Sequence, residues 1–112
     1  MEFFMDKINI KGMEQATLVS LKGEVDIYSI GKFRESIEER IKTQAPEIIL
    51  DCTELSYMDS TGMGALIELR NKAKEMGQKL IMMNPRPNIK KLLNITGVDK
   101  IIEIIEYPIN QS

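Results

Sequence analysis

Short apolar runs of strand length alternate with segments of helical period along most of the chain, and this narrows the fold more than any other feature. Two strand-like runs come first, "KINIK" (7–11) and "ATLVSLKG" (16–23), with a turn expected near residues 12–15 and "EVDI" extending the second run. Over residues 29–43 the period changes, and Ile30, Phe33, Ile37 and Ile41 form one apolar stripe of a helix that Pro46 ends. "EIILDC" (47–52) is a third strand. A second helix follows, with Met63, Leu66, Ile67, Leu69 and Ala73 on its buried face and Gly77 as its stop. "KLIMM" is a fourth strand. Pro87 opens a short third helix with Ile89, Leu92 and Leu93 on one face, and Gly97 closes it. "KIIEIIE" is the last strand, and "YPINQS" is expected to fray.

The expected order is β-β-α-β-α-β-α-β. Strands alternating with helices predict an α/β domain whose sheet is mixed but mostly parallel, of four to five strands, with helices packed against it. The opening pair is expected to be antiparallel. At 112 residues the chain suffices for one domain, 1–112, with a core of about 5–106 and a short C-terminal tail. Loops leaving the C-terminal ends of parallel strands gather on one edge, the usual functional edge. Asp26, Asp51, Asp59 and Ser60 all fall at expected strand-to-helix transitions and should converge there.

Composition removes several functions. The formal net charge is −2 and no Lys/Arg cluster stands out, which argues against a nucleic-acid face. No apolar run reaches the roughly 18–20 residues of a membrane span, and the N-terminus lacks the pattern of a signal peptide. A soluble cytoplasmic domain is expected, so the glycosylation triplet Asn94-Ile95-Thr96 reads as chance. The single cysteine, Cys52, excludes an internal disulfide and reads as a small buried hydrophobe. The eight methionines read as core fillers.

The chemistry centres on "YMDSTGMGALIELR" (57–70). A nucleophilic Ser60 needs a base, and a chain with no histidine has no Ser-His-Asp triad. The elbow G-x-S-x-G fails because Met58 holds the first glycine position, and Met63 stands where an S-x-x-K lysine would be. Gly62-Met63-Gly64 begins like a dinucleotide fingerprint, but Ile67 replaces its third glycine, and the glycine-lysine pair of a P-loop is missing. Without histidine a zinc site is disfavoured, and neither metal nor cofactor is expected. Asp51, ending a strand, raises a receiver-like phospho-acceptor, although that chemistry wants an acidic pair after the first strand and a lysine after the last. The remaining reading is structural. Ser60 caps the second helix, Asp59 is favoured by its dipole, and Asp26 starts the first helix. Gly62 and Gly64 permit close packing or the approach of a partner backbone, and Met63 is either a core residue or an apolar contact.

Three segments together resemble one family, the bacterial anti-sigma factor antagonists, whose fold is the STAS domain. "MDSTGMGAL" (58–66) is similar to their signature. "LKGEVDI" (21–27) is similar to their Gly-Glu-hydrophobic-Asp segment, and "IKKLLNITGVDKIIEI" (89–104) to a leucine-rich helix followed by Thr-Gly-hydrophobic-Asp. The resemblance covers nearly the whole chain and implies a switch rather than an enzyme. Ser60 matches the phosphorylated residue, Thr61 the neighbouring hydroxyl, and Asp26 and Asp59 the acidic residues beside it. Asp26, Asp59, Ser60, Thr61, Gly62, Met63 and Gly64 then form the partner-binding surface. The implied partner is an anti-sigma factor that is also a serine kinase using ATP. The unmodified antagonist, a monomer when free, binds it and releases a sigma factor. Phosphorylation ends the binding, and a PP2C-type phosphatase restores it. A domain of this fold that is never phosphorylated, acting as a scaffold or sensor, is the other family possibility. Tyr28-Ser29-Ile30 departs from the smaller residues that open the first helix in many members.

Overall fold

A computed structural model describes the backbone of residues 2–7 and the full residues 15–107. Five strands form one sheet in the order β1 (Glu2–Lys7), β2 (Thr17–Val25), β3 (Glu47–Met58), β4 (Lys79–Met83) and β5 (Glu103–Ile105). β1 pairs antiparallel with β2, and β2 to β5 are parallel. Helices α1 (Ile30–Lys42), α2 (Ser60–Glu75) and α3 (Pro87–Thr96) connect the parallel strands. Each connection steps one strand onward in the same direction, so crossovers of one hand place all three helices on one face. The main core lies there, where Phe33 and Ile37 of α1, Leu66 and Leu69 of α2 and Leu93 of α3 meet Leu21, Leu50 and Met82 of the sheet. A smaller cluster, Ala16, Ile49, Ile81 and Met83, occupies the opposite face.

The α/β class, the parallel sheet and the antiparallel opening pair agree with the sequence reading. So do the helix stops, because Gly77 and Gly97 hold left-handed φ of 74° and 77°, where a side chain would be strained. On α2, Met63, Leu66, Leu69 and Ala73 are buried as expected, joined by Ala65, while Ile67 is only half-buried.

The boundaries differ in three places. The first strand lies earlier than "KINIK": its register runs from Glu2↔Lys22 to Lys7↔Thr17. Residues 8–14, which hold the rest of that run and most of the expected turn, are outside the described residues, as are 108–112 of the tail. The last strand is only Glu103–Ile105. After Gly97 the chain forms a 3-10 turn, Val98–Lys100, and the amides of Ile101 and Ile102 both donate to the Val98 carbonyl. Those amides are spent locally, so pairing with β4 begins only at Ile81↔Glu103.

The third difference matters most for function. β3 continues six residues beyond the expected end at Cys52, to Met58. Its pairing with β4 stops at Asp51↔Met83, but its pairing with β2 runs on to Val25↔Met58. Between Ser20↔Asp51 and Lys22↔Glu54, β3 advances three residues while β2 advances two, and a second extra residue enters before Glu24↔Tyr57. Each bulge reverses the phase of the side chains. Cys52, Leu55 and Met58 therefore all enter the helix-side core at a spacing of three, which is why period-two alternation fails here. The result is a two-stranded extension of the sheet that ends at the N-terminus of α2.

Two features of the frame were invisible as spacing. Gln78 is a buried polar residue whose Nε2 donates to the carbonyls of Ile41 (3.1 Å) and Ala45 (3.0 Å), tying the end of α1 and the loop after it to the chain just before β4. On the outer surface Arg34 of α1 pairs with Glu68 of α2 at 2.8 Å, and Lys72 of α2 with Glu38 of α1 at 3.0 Å. The hydrogen bond from Arg34 holds the Glu68 carboxyl below its usual range.

Candidate functional site

The site forms where β2 and β3 end side by side. The Asp59 amide donates to the Val25 carbonyl at 3.2 Å, the last rung between the two strands. One step beyond that rung, Asp26 leaves β2 and Ser60 opens α2. Asp26, Asp59, Ser60 and Thr61 are therefore brought to one edge, as expected. Asp51 is not. It lies in the interior of β3, its Oδ1 accepting from the Thr53 amide (3.1 Å) and hydroxyl (2.6 Å). The β3 extension carries the strand's end seven residues past Asp51, to Met58, so a receiver-like acceptor there loses the position it requires.

The helix cap is also reassigned. Asp59, not Ser60, is the N-cap: it is extended, with ψ of −175°, and its Oδ1 accepts from the Gly62 amide at 2.9 Å. The Asp59 carbonyl accepts from the Met63 amide at 3.0 Å, the first helical bond. Ser60 occupies the first helical position and is exposed. Among the described residues, neither the Ser60 nor the Thr61 hydroxyl has a hydrogen-bond partner. The hydroxyl is thus presented to solvent by a helix whose cap does not depend on it. Replacing Asp59 with Ala should cost about 1 kcal/mol of stability in a denaturant titration, whereas Asp59→Asn should keep most of the cap.

Asp26 does not start α1 either. Its Oδ1 accepts from the amides of Tyr28 (2.9 Å) and Ser29 (3.1 Å), closing a turn before the helix. Ser29 stands at the N-cap position of α1, but its hydroxyl turns back, donating to the Glu24 carbonyl (2.8 Å) and accepting from the Asp26 amide (3.0 Å).

The glycines and methionine have separate roles. A Cβ on Gly62 would lie 2.8 Å from both Met58 Cγ and Val25 Cγ1, and 3.3 Å from the Val25 carbonyl oxygen. Gly62 lets the first turn of α2 rest on the ends of β2 and β3, so the room there is filled by this domain and not by a partner's backbone. Gly64 is exposed, and a Cβ there would meet nothing within 4 Å. Met63 is 3% exposed and part of the core, which decides for packing over direct apolar contact. Cys52 is fully buried, and burial, reinforced by the charge of Asp51, pushes its thiol above the usual range. It behaves as the inert hydrophobe expected.

Sequence spacing did not show that apolar side chains gather at this edge, although Tyr28 stood out there as a departure from the family pattern. Ile27 and Tyr28, in the turn after β2, and Tyr57, next to last in β3, are all exposed, and a helical period gives no means of finding an apolar residue in a turn.

Comparison with known proteins agrees with this geometry. The family model of the STAS domain matches residues 7–110, and the chain belongs to that family. The anti-sigma-B factor antagonist of Bacillus subtilis is 31% identical over 97 residues, covering 87% of this chain and 88% of that protein. Two solved structures of the anti-sigma factor antagonist SpoIIAA share the fold. The unphosphorylated form aligns with a TM-score of 0.69 at 21% identity, over 96% of this chain and 90% of the other. The phosphorylated form, from Bacillus, aligns at 0.70 and 22%, over 96% and 92%.

Proposed function

We propose that this protein is an anti-sigma factor antagonist switched by phosphorylation of Ser60. In its unmodified form it binds an anti-sigma factor that is also a serine kinase using ATP, and so frees a sigma factor. Phosphorylation of Ser60 ends that binding, and a PP2C-type phosphatase restores it. The domain is itself a cytoplasmic substrate and binding module, a monomer when free. The observation that carries this reading is the state of Ser60: exposed, unbonded, and placed on a helix that Asp59 caps. A kinase can take that hydroxyl without dismantling a structural hydrogen bond. The phosphate would then sit at a helix N-terminus, which tolerates anions. The relatives named as antagonists support the same reading.

The contact surface is the accessible part of this edge: exposed Ser60, Thr61 and Gly64, with half-buried Asp26 and Asp59 beside them. Gly62 and Met63 act from behind, by seating the helix. In the direct test, the purified protein is incubated with the anti-sigma factor kinases of its own genome, magnesium and ATP, and the label is mapped by mass spectrometry. One phosphate on Ser60 is expected, stable to acid and labile to strong base, with none on Ser60→Ala. Label persisting in Ser60→Ala would move the site to Thr61 or reject it. No label with any kinase, with equal partner binding by Ser60 and Ser60→Asp proteins, would instead support an unphosphorylated scaffold.

A further inference from the structure

Seven large apolar or aromatic side chains are exposed among the described residues, and three of them, Ile27, Tyr28 and Tyr57, lie at the edge that holds Ser60. Ile27 and Tyr28 follow Asp26 directly, and Tyr57 stands opposite Glu24 in the last rungs between β2 and β3. Tyr28 is 94% exposed and Ile27 67% exposed. Their side chains therefore add little to the core, yet the turn that carries them is tightly held. The Asp26 carboxylate accepts from the Tyr28 and Ser29 amides, and the Ser29 hydroxyl bridges the Glu24 carbonyl and the Asp26 amide. A loop ordered in this way loses conformational freedom in folding and recovers none of it by burying its apolar side chains. The same order is an advantage in binding, because a partner does not have to immobilise the backbone beneath the ring. A rigidly presented tyrosine with an aliphatic neighbour has the character of an interface hot spot.

We propose, resting on the reading of the protein as an antagonist, that Tyr28 is the anchor by which the unphosphorylated domain seats in its anti-sigma factor, with Ile27 and Tyr57 completing the apolar contact. The occupant is a protein surface bearing an apolar socket. The charged residues that immediately precede Ile27 and Tyr28 in the chain, Glu24 and Asp26, are acidic, so hydrogen-bond donors rather than carboxylates on that side of the socket's rim complement them. The backbone brings the two together: the Asp59 amide donates to the Val25 carbonyl, so the turn that carries Ile27 and Tyr28 and the start of α2 that carries Ser60 leave adjoining strand ends, and one partner docking at this edge meets both. Anchor and switch are then separate. Tyr28 sets how tightly the partner is held, and Ser60 sets whether it is held.

The test uses the full chain and the anti-sigma factor kinase that labels Ser60, with the dissociation constant of the unphosphorylated complex measured by calorimetry. Tyr28→Ala should weaken the complex about tenfold or more and Ile27→Ala several-fold. Tyr28→Phe, which keeps the ring, should recover most of the loss. Ile95→Ala, at an equally exposed residue (70%) on α3, should stay within twofold. The melting temperature of each variant checks the fold, and the KM for Ser60 phosphorylation should rise more than kcat falls. Tyr28→Ala and Ile27→Ala both binding like Ile95→Ala would overturn the proposal. So would sedimentation showing that wild type self-associates and Tyr28→Ala does not, which would give the patch to a second copy of this chain. Failure of wild type to bind any such kinase would overturn the antagonist reading itself, and with it this one.

Discussion

Replacing Gly62 with alanine is expected to destabilise the domain by about 1–3 kcal/mol, a fall of roughly 5–15 °C in melting temperature. The added Cβ would meet Met58 Cγ and Val25 Cγ1 at 2.8 Å and the Val25 carbonyl oxygen at 3.3 Å. Met58 is flexible enough to give way, but Val25 is β-branched, fully buried and paired in the sheet. Relief must come from the helix, whose first turn has to lift away from the strand ends. That movement strains the Asp59 cap and displaces Ser60, so phosphorylation should slow in the same variant. Gly64→Ala, two residues on, is the control. Its Cβ meets nothing within 4 Å, and alanine is the better helix former by about 1 kcal/mol, so it should leave stability unchanged or raise it. Two glycines in one motif are thus expected to differ, one substitution destabilising the domain and the other not. Equal stability of Gly62→Ala and wild type would show that the first turn is not seated as described.

The same pair of glycines marks the limit of what the sequence discloses. Helical periods identified the faces of α1, α2 and α3, because an amphipathic stripe records which side meets the sheet. "KLIMM" matched β4 without error, since a fully buried parallel strand is a continuous apolar run. β3 did not reveal its length. Thr53, Glu54 and Ser56 look like loop residues, and two bulges break the alternation that would have marked Leu55 and Met58. That one misreading placed Asp51 at the functional edge and left a receiver-like alternative open. The motif around Ser60 pointed to a candidate site, but spacing could not divide labour within it. Asp59 and Ser60 are both acceptable caps, and only the backbone shows that Asp59 takes the Gly62 amide. Gly62 and Gly64 likewise look alike until the atoms around each are known.

Phosphorylation of Ser60 is expected to weaken the complex with the anti-sigma factor about a hundredfold, while the melting temperature of the free domain changes little. The phosphate carries about −1.5 to −2 charges. In the free domain it is hydrated, lies at the positive end of α2 and is screened from Asp59 by water and salt, so the fold tolerates it. Docking removes that water. Each like-charge pair then held at roughly 6 Å costs on the order of 1–3 kcal/mol at an effective dielectric near 20. Asp59 is the adjacent residue, Asp26 lies beyond the rung to Val25, and a kinase partner adds the phosphates of its own nucleotide. A net penalty of about 3 kcal/mol corresponds to the hundredfold loss. Charge and size separate in a series of variants measured by calorimetry. Ser60→Asn, close to aspartate in size but neutral, should bind within a few-fold of wild type. Ser60→Asp, with one charge, should lose about tenfold, and phosphoserine should lose the most. Raising the salt concentration should narrow the gaps between them. If Ser60→Asn weakened binding as much as phosphoserine, bulk rather than charge would operate the switch. If the phosphorylated protein bound as tightly as the unmodified one, Ser60 would not be the switch at all.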